Sequence, residues 1–180
     1  YPFRVQNDLS KQAFGVSTLF HNIEIPDPAT NGCTASKTND GEYYFEYGDS
    51  RPDNMTFTIP ITETAEQLYL FYDGTQVENA QITVDGENVK SGDLDGYMLP
   101  VGKVYAGSEV KVTFELKGET EDGYVRLSAA DFDGQAYEEF KKTAADNAFV
   151  TESYSDNYIK GTVDAKEAQT LFFSIPYDEG

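Results

Sequence analysis

Val110, Val112, Phe114 and Leu116 occupy every second position of an eight-residue run, with Glu109, Lys111, Thr113 and Glu115 between them. Successive side chains of an extended strand point to opposite faces, so this spacing commits the run to a sheet with one apolar side and one wet side. A helix would scatter the same four residues around its circumference. The pattern recurs where Met55, Phe57 and Ile59 alternate with Thr56 and Thr58. Strand-like runs follow one another at Glu42–Tyr47, Leu68–Tyr72, Ala80–Val84, Tyr97–Val101 and Tyr124–Ala129, a spacing typical of sandwiches and barrels. Phe149–Tyr154, Tyr158–Val163 and Thr170–Ile175 read as strands that close the chain.

Turn chemistry points the same way. Six Asp-Gly dipeptides begin at Asp40, Asp73, Asp85, Asp95, Asp122 and Asp133, and Asp-Gly suits the positive φ values of tight hairpins. Asp85-Gly86, between Gln81–Val84 and Glu87–Val89, is the strongest hairpin signal, and frequent tight turns imply antiparallel pairing. Two segments depart from the strand pattern as helices. Asp8 is placed to cap Leu9–Phe14, with Gly15 as its stop. Gln135–Asp146 sets Tyr137, Phe140 and Ala144 on one stripe, with Asp133 as its cap, and is expected to lie over one end of the sandwich as a lid helix near 135–146. Ile25–Asn39, rich in Pro, Asp, Thr, Asn and Ser, reads as a long loop. The expected fold is therefore an all-β, antiparallel, jelly-roll-like sandwich of nine to eleven strands, forming one domain over residues 1–180.

Composition narrows the function. The net charge of −19, from 32 acidic and 13 basic residues, repels phosphate backbones and anionic headgroups, which excludes a nucleic-acid partner. Cys33 is alone, so an intramolecular disulfide is excluded. His21 is the one histidine, which removes His-pair zinc sites and most relay chemistry. No stretch reaches the roughly 18 to 20 apolar residues that a spanning helix needs.

Candidate chemistry is sparse. No catalytic residue is assigned, since no phosphate loop, nucleophile elbow or metal-spaced Cys/His cluster is present. A hydrolytic carboxylate pair would have to come from strand-borne acids such as Glu24, Glu42, Glu46 and Glu115. Asp131-Phe132-Asp133-Gly134 imitates the start of a calcium loop, so Asp131 and Asp133 are the candidate cation ligands. The third alternate ligand is missing, and Lys142 stands where a bidentate Glu would close the loop. Sugar-binding surfaces stack rings on pyranose faces, and the 13 tyrosines supply such rings. Tyr43, Tyr44 and Tyr72 are the candidate stacking residues, and the adjacent Tyr43 and Tyr44 must point to opposite faces, one of them outward.

Four segments together resemble one family. Leu171-Phe172-Phe173-Ser174-Ile175-Pro176-Tyr177-Asp178-Glu179-Gly180 is similar to the "LF-SIPYD-GW" signature of the YfhO family, large bacterial multi-pass membrane proteins with an outward-facing soluble region. Pro2-Phe3-Arg4-Val5-Gln6-Asn7 resembles that family's "PF-x-x-QN" entry to the soluble region, and Gln67–Phe71 and Ile159–Val163 match in order and spacing. The resemblance implies a piece excised from a larger protein that continues past Gly180. It also implies a place on the extracytoplasmic side of a bacterial, Gram-positive cell membrane, and a parent resembling glycosyltransferases that use lipid-linked sugars to decorate surface polymers such as teichoic acids. The fragment itself is then expected to be non-catalytic and monomeric, to need no cofactor unless calcium binds, to partner the rest of its parent protein, and to position or recognise a glycan or teichoic acid. A carbohydrate-binding or adhesion module of a secreted protein is the alternative, and a glycoside hydrolase the third reading.

Overall fold

A computed structural model describes residues 2–16, 18–38, 42–48, 54–92, 98–117, 122–146, 148–155 and 158–164. The chain forms two compact units: Tyr1–Phe3 with Phe20–Asp133, and Arg4–Leu19 with Gly134–Gly180. The sandwich expected over the whole of 1–180 is built in the first unit.

That unit carries β1 (Phe20–Ile23), β2 (Ala29–Asn31), β3 (Cys33–Lys37), β4 (Tyr43–Tyr47), β5 (Asn54–Pro60), β6 (Ala65–Gly74), β7 (Val77–Val84), β8 (Glu87–Gly92), β9 (Met98–Val104), β10 (Glu109–Leu116) and β11 (Asp122–Phe132). One sheet runs β3-β4-β11-β6-β9, with β1 also paired to β11; the other runs β2-β5-β10-β7-β8. Every pairing is antiparallel. Strands β4 to β11 divide between the two sheets as 4-11-6-9 and 5-10-7-8, which is the jelly-roll order of two four-stranded sheets. The expected fold class is what forms.

The core follows the period-two pattern. Val110, Val112, Phe114 and Leu116 of β10 are buried, as are Met55, Phe57 and Ile59 of β5, Leu68, Leu70 and Tyr72 of β6, and Val125 of β11. Phe57 and Phe114 meet edge to face at 5.9 Å between centroids, and Tyr72 and Phe114 at 4.8 Å, the geometry that aromatic quadrupoles favour.

The hairpin at Asp85-Gly86 forms with φ of 50° and 85°, the two positive values its type requires. Asp85 also accepts the Glu109 amide at 2.9 Å, which ties the turn to β10. The other Asp-Gly pairs correct the sequence reading. Asp73-Gly74 and Asp122-Gly123 lie inside β6 and β11. Their glycines answer crowding instead of curvature: a Cβ at Gly74 would meet the Tyr124 carbonyl at 2.8 Å, and one at Gly123 would meet the Phe45 ring at 2.6 Å. Asp133-Gly134 opens a helix, and the pairs at Asp40 and Asp95 lie outside the described residues. Ile25–Asn39 is another correction, because it contains the short edge strands β2 and β3. Backbone pairing to β5 and β4 orders them although their residues are small and polar.

Helix α1 (Pro2–Phe14), which belongs to the second unit from Arg4 on, starts six residues before the expected Asp8 cap, and Asp8 pairs instead with Arg4 one turn back at 3.6 Å. Gly15, at φ 65°, ends it as expected, its amide closing on the Lys11 carbonyl at 3.1 Å. Helix α2 (Gly134–Asp146) forms where the stripe predicts, with the Phe140 ring 4.8 Å from that of Phe14. Strands β12 (Val150–Ser155) and β13 (Tyr158–Thr162) pair with each other as a two-stranded sheet and join neither sheet of the sandwich. The expected strand at Thr170–Ile175 lies outside the described residues.

Candidate functional site

The three tyrosines proposed for stacking separate into two environments. Tyr43 and Phe45 point inward from β4 and are buried, so Tyr44 between them points out, with 47% of its surface exposed. The Tyr43 ring packs edge to face on Phe57 at 5.2 Å, and its hydroxyl donates to Asp27 at 2.7 Å. Burial, then this bond to a carboxylate, raises the Tyr43 pKa above its ordinary value. Tyr72, 2% exposed, is core against Phe114. Both rings are buried, at 5% and 2% exposure, which leaves neither open to lie on a sugar. Tyr44 alone keeps that capacity.

The register surrounds Tyr44 with further polar and aromatic groups. Tyr124 of β11 lies directly across from Tyr44, and Arg126 follows two residues on, on the same outer face. Arg126 is paired across to Asp73 of β6 and holds the Glu42 carboxylate just before β4. Its other arm stands 4.0 Å from Asp73, and only 16% of the Arg126 side chain is exposed. The Thr75 hydroxyl accepts the Tyr124 amide at 3.3 Å, and the Tyr124 carbonyl accepts the Thr75 amide at 2.9 Å, so backbone pairing fixes this end of the face. The result is a ring platform beside a carboxylate–guanidinium–carboxylate chain, able to stack one ligand face while offering donors and acceptors to hydroxyls. Tyr124 had been one tyrosine among many in the sequence. Only the β4–β11 register marks it as the neighbour of Tyr44.

Further along the same sheet, Phe20, Phe132 and Tyr69 form an aromatic cluster with Phe3. Phe20 lies 5.0 Å from Phe3, 5.1 Å from Phe132 and 5.8 Å from Tyr69 between ring centroids. These rings pack on one another and are spoken for.

Asp131 and Asp133, the proposed cation ligands, have protein partners. Asp131 accepts the Gln67 amide at 2.9 Å, and Asp133 stands 3.5 Å from His21 Nε2. Among the described residues no group of three or more His, Cys, Asp or Glu is arranged to hold a metal. Of the acids weighed for hydrolysis, Glu42 is engaged by Arg126 and Glu115 accepts from Asn79 at 3.3 Å. Glu46 is exposed on β4, and Glu24 lines a cleft of about 770 Å³ at the end of the sandwich. Cys33 is buried, its sulfur 3.7 Å from the Asn54 carbonyl, as befits a small core residue. Among the described residues no helix is long and apolar enough to cross a membrane.

A family model described as "Bacterial membrane protein YfhO" matches residues 1–180. No curated protein matches the chain in sequence. Among solved structures, a family 35 carbohydrate binding module from Clostridium thermocellum is similar at 14% identity and a TM-score of 0.40, over 64% of this chain and 98% of that one. A Podospora anserina GH26-CBM35 β-(1,4)-mannanase is similar at 16% identity and a TM-score of 0.37, over 64% of this chain and 28% of that one. A family 29 carbohydrate binding module is similar at 12% identity and a TM-score of 0.36, over 62% of this chain and 84% of that one.

Proposed function

This chain belongs to the YfhO family of bacterial membrane proteins, and from that membership we propose that it is the family's extracytoplasmic glycan-recognising domain, non-catalytic in itself. The observation that carries the reading is the exposed Tyr44 ring with Tyr124 across from it and the Glu42–Arg126–Asp73 chain alongside. Sugars present one apolar ring face and an edge of hydroxyls, and this surface offers a match to each. Glu42 and Asp73 hold the Arg126 guanidinium in place before any ligand arrives, which lowers the ordering cost of binding.

Charge refines the partner. A protein of net charge −19 repels the phosphodiester chain of a teichoic acid, so the sugar substituent and not the backbone is what the platform takes. The domain would then hold an uncharged surface glycan near the membrane, while the membrane-embedded remainder of the protein transfers sugar from a lipid carrier.

Calorimetric titration of the 180-residue chain with a panel of neutral hexose and N-acetylhexosamine oligosaccharides tests this. Binding in the micromolar to millimolar range that Tyr44→Ala weakens, with the fold intact by circular dichroism, is the expected result. Silence across the whole panel, or binding indifferent to Tyr44, would sink the reading.

A further inference from the structure

The cleft at the end of the sandwich is a second concave surface, built by the fold from two directions. Along β1 and β11, His21 pairs with Asp131 and Ile23 with Ala129. Asp131 and Ala129 share the inward face of β11, but Ala129 is core whereas Asp131 is half-buried and lines the cleft. On the facing side the chain crosses from one sheet to the other between β5 and β6. Its Ile61 amide and carbonyl are fixed by Ser108 at 3.0 Å and Gly107 at 2.7 Å, and the Thr64 hydroxyl accepts the Ala106 amide at 3.1 Å. The walls are thus tied to strands, and the volume of about 770 Å³ sits within the size range of small-ligand sites.

The lining has three kinds of group. Ile23, Pro26 and Pro60 give it apolar surface over the buried Ile61 and Ala65; Asn22, Thr62 and Thr64 offer hydroxyls and an amide; Glu24, Glu63 and Asp131 bring carboxylates. Among the described residues the lining holds neither Lys nor Arg, and His21 is its one basic side chain, 3.5 Å from the Asp133 carboxylate. An anionic sugar or a phosphate would find no Lys or Arg among the described lining residues to pair with, and three carboxylates to oppose it. A protonated amine on a hydroxylated ring would find carboxylate acceptors, polar groups for its hydroxyls, and a floor for its ring face.

The geometry points to this cleft as a binding site for an amino sugar with a free, protonated amine, separate from the Tyr44 platform. The two sites divide the labour: the platform reads a neutral ring by stacking, and the cleft reads a positive one by charge.

The probes are fully de-N-acetylated chitosan tetramer and the matching N-acetylated tetramer, titrated into the 180-residue chain and followed by amide chemical-shift mapping and calorimetry. Expected are shifts at Asn22, Ile23 and Thr62 for the chitosan tetramer, weaker affinity for the acetylated one, and attenuation by added salt. The Glu24→Gln/Glu63→Gln double variant alters two surface carboxylates and should weaken chitosan binding about fivefold. Tyr44→Ala should leave it unchanged. Equal affinity for the two tetramers, shifts confined to Tyr44 and Tyr124, or a double variant that binds like the parent would each overturn the inference. Neutral-glycan binding weakened in Tyr44→Ala and retained in the double variant is the separate readout for the platform.

Discussion

On the outer face of the five-stranded sheet, Thr56 and Thr113 share a hydroxyl contact at 3.1 Å, Asn79 donates to Glu115 at 3.3 Å, and Lys111 pairs with Glu109 at 2.8 Å. On the outer face of the six-stranded sheet stand Tyr44, Tyr124 and a guanidinium drawn down between two carboxylates. Inward, both sheets show the same alternation and one shared core. The first face does what any antiparallel sheet does toward water, with small β-branched and charged side chains and no aromatic ring among the described residues. The second keeps a half-buried cation and exposed aromatic area that solubility alone does not call for. The difference teaches that the fold needs only the inward set, which leaves the outward residues of one sheet available for recognition.

The comparison breaks most visibly if the cores are not in fact shared. Phe114→Ala removes a ring that touches Phe57 of its own sheet and Tyr72 of the other. It should cost about 3–5 kcal/mol in chemical denaturation, with a single transition reported by probes on either sheet. Two separated transitions would mean that the sheets are energetically independent. Next in size, Arg126→Met leaves Glu42 with its carboxylate three-quarters covered and its cation gone. A loss of about 1–3 kcal/mol is expected, together with weaker glycan binding; unchanged stability would mean that the ion chain is a surface ornament.

Tyr44→Ala sharpens the contrast further. Binding should fall about threefold to tenfold, from the roughly 0.5–1.5 kcal/mol that an aromatic contact supplies, while the melting temperature stays put. Its counterpart on the other face, Thr113→Val, keeps the β-branched shape and loses one solvent-side hydroxyl contact. Stability within about 0.5 kcal/mol of the parent and unaltered glycan binding are expected. A loss of binding here would erase the distinction between the faces.

The smallest effect concerns the Asp85 hairpin. Its backbone bond from Glu109, with help from Ser108, lowers the Asp85 pKa below the ordinary 3.8. A carboxylate whose pKa is depressed by folding adds stability above its unfolded value and loses it as pH falls through the folded one. Thermal melts between pH 5 and pH 2 should therefore show a steeper acid decline in the parent than in Asp85→Asn, which keeps the turn residue and drops the charge. Parallel declines would show that the carboxylate's charge plays no part in holding the turn.

How legible all this was varied with the physics involved. Glu109–Leu116 is β10 to the residue, and Asp85-Gly86 is a turn with both φ values positive, because alternation and turn chemistry are local properties. Strands β2 and β3 were hidden inside Ile25–Asn39, since edge strands of Ala, Thr and Ser carry no alternating apolar set and owe their order to a neighbour's backbone. Gly74 and Gly123 read as turn residues because a dipeptide reports φ preference and cannot report that a carbonyl or a ring lies where a Cβ would go. Of the named tyrosines, parity alone separated Tyr43 from Tyr44, whereas the burial of Tyr72 required knowing that Phe114 packs beneath it.

The chain's alternation, its Asp85-Gly86 turn and its charge thus determined by themselves that it folds as antiparallel sheets with an aromatic core and carries a net charge of −19. Each of these follows from neighbours a few residues apart or from a simple sum. Tertiary structure alone decided that Tyr44 meets Tyr124, that Arg126 is clasped by Glu42 and Asp73, and that Asp131 faces a cleft beyond the core. Those contacts join residues far apart in the sequence, from Asp73 and Arg126, 53 positions apart, to His21 and Asp131, 110 positions apart. Strand register, set by burying every inward side chain at once, is what brings them together.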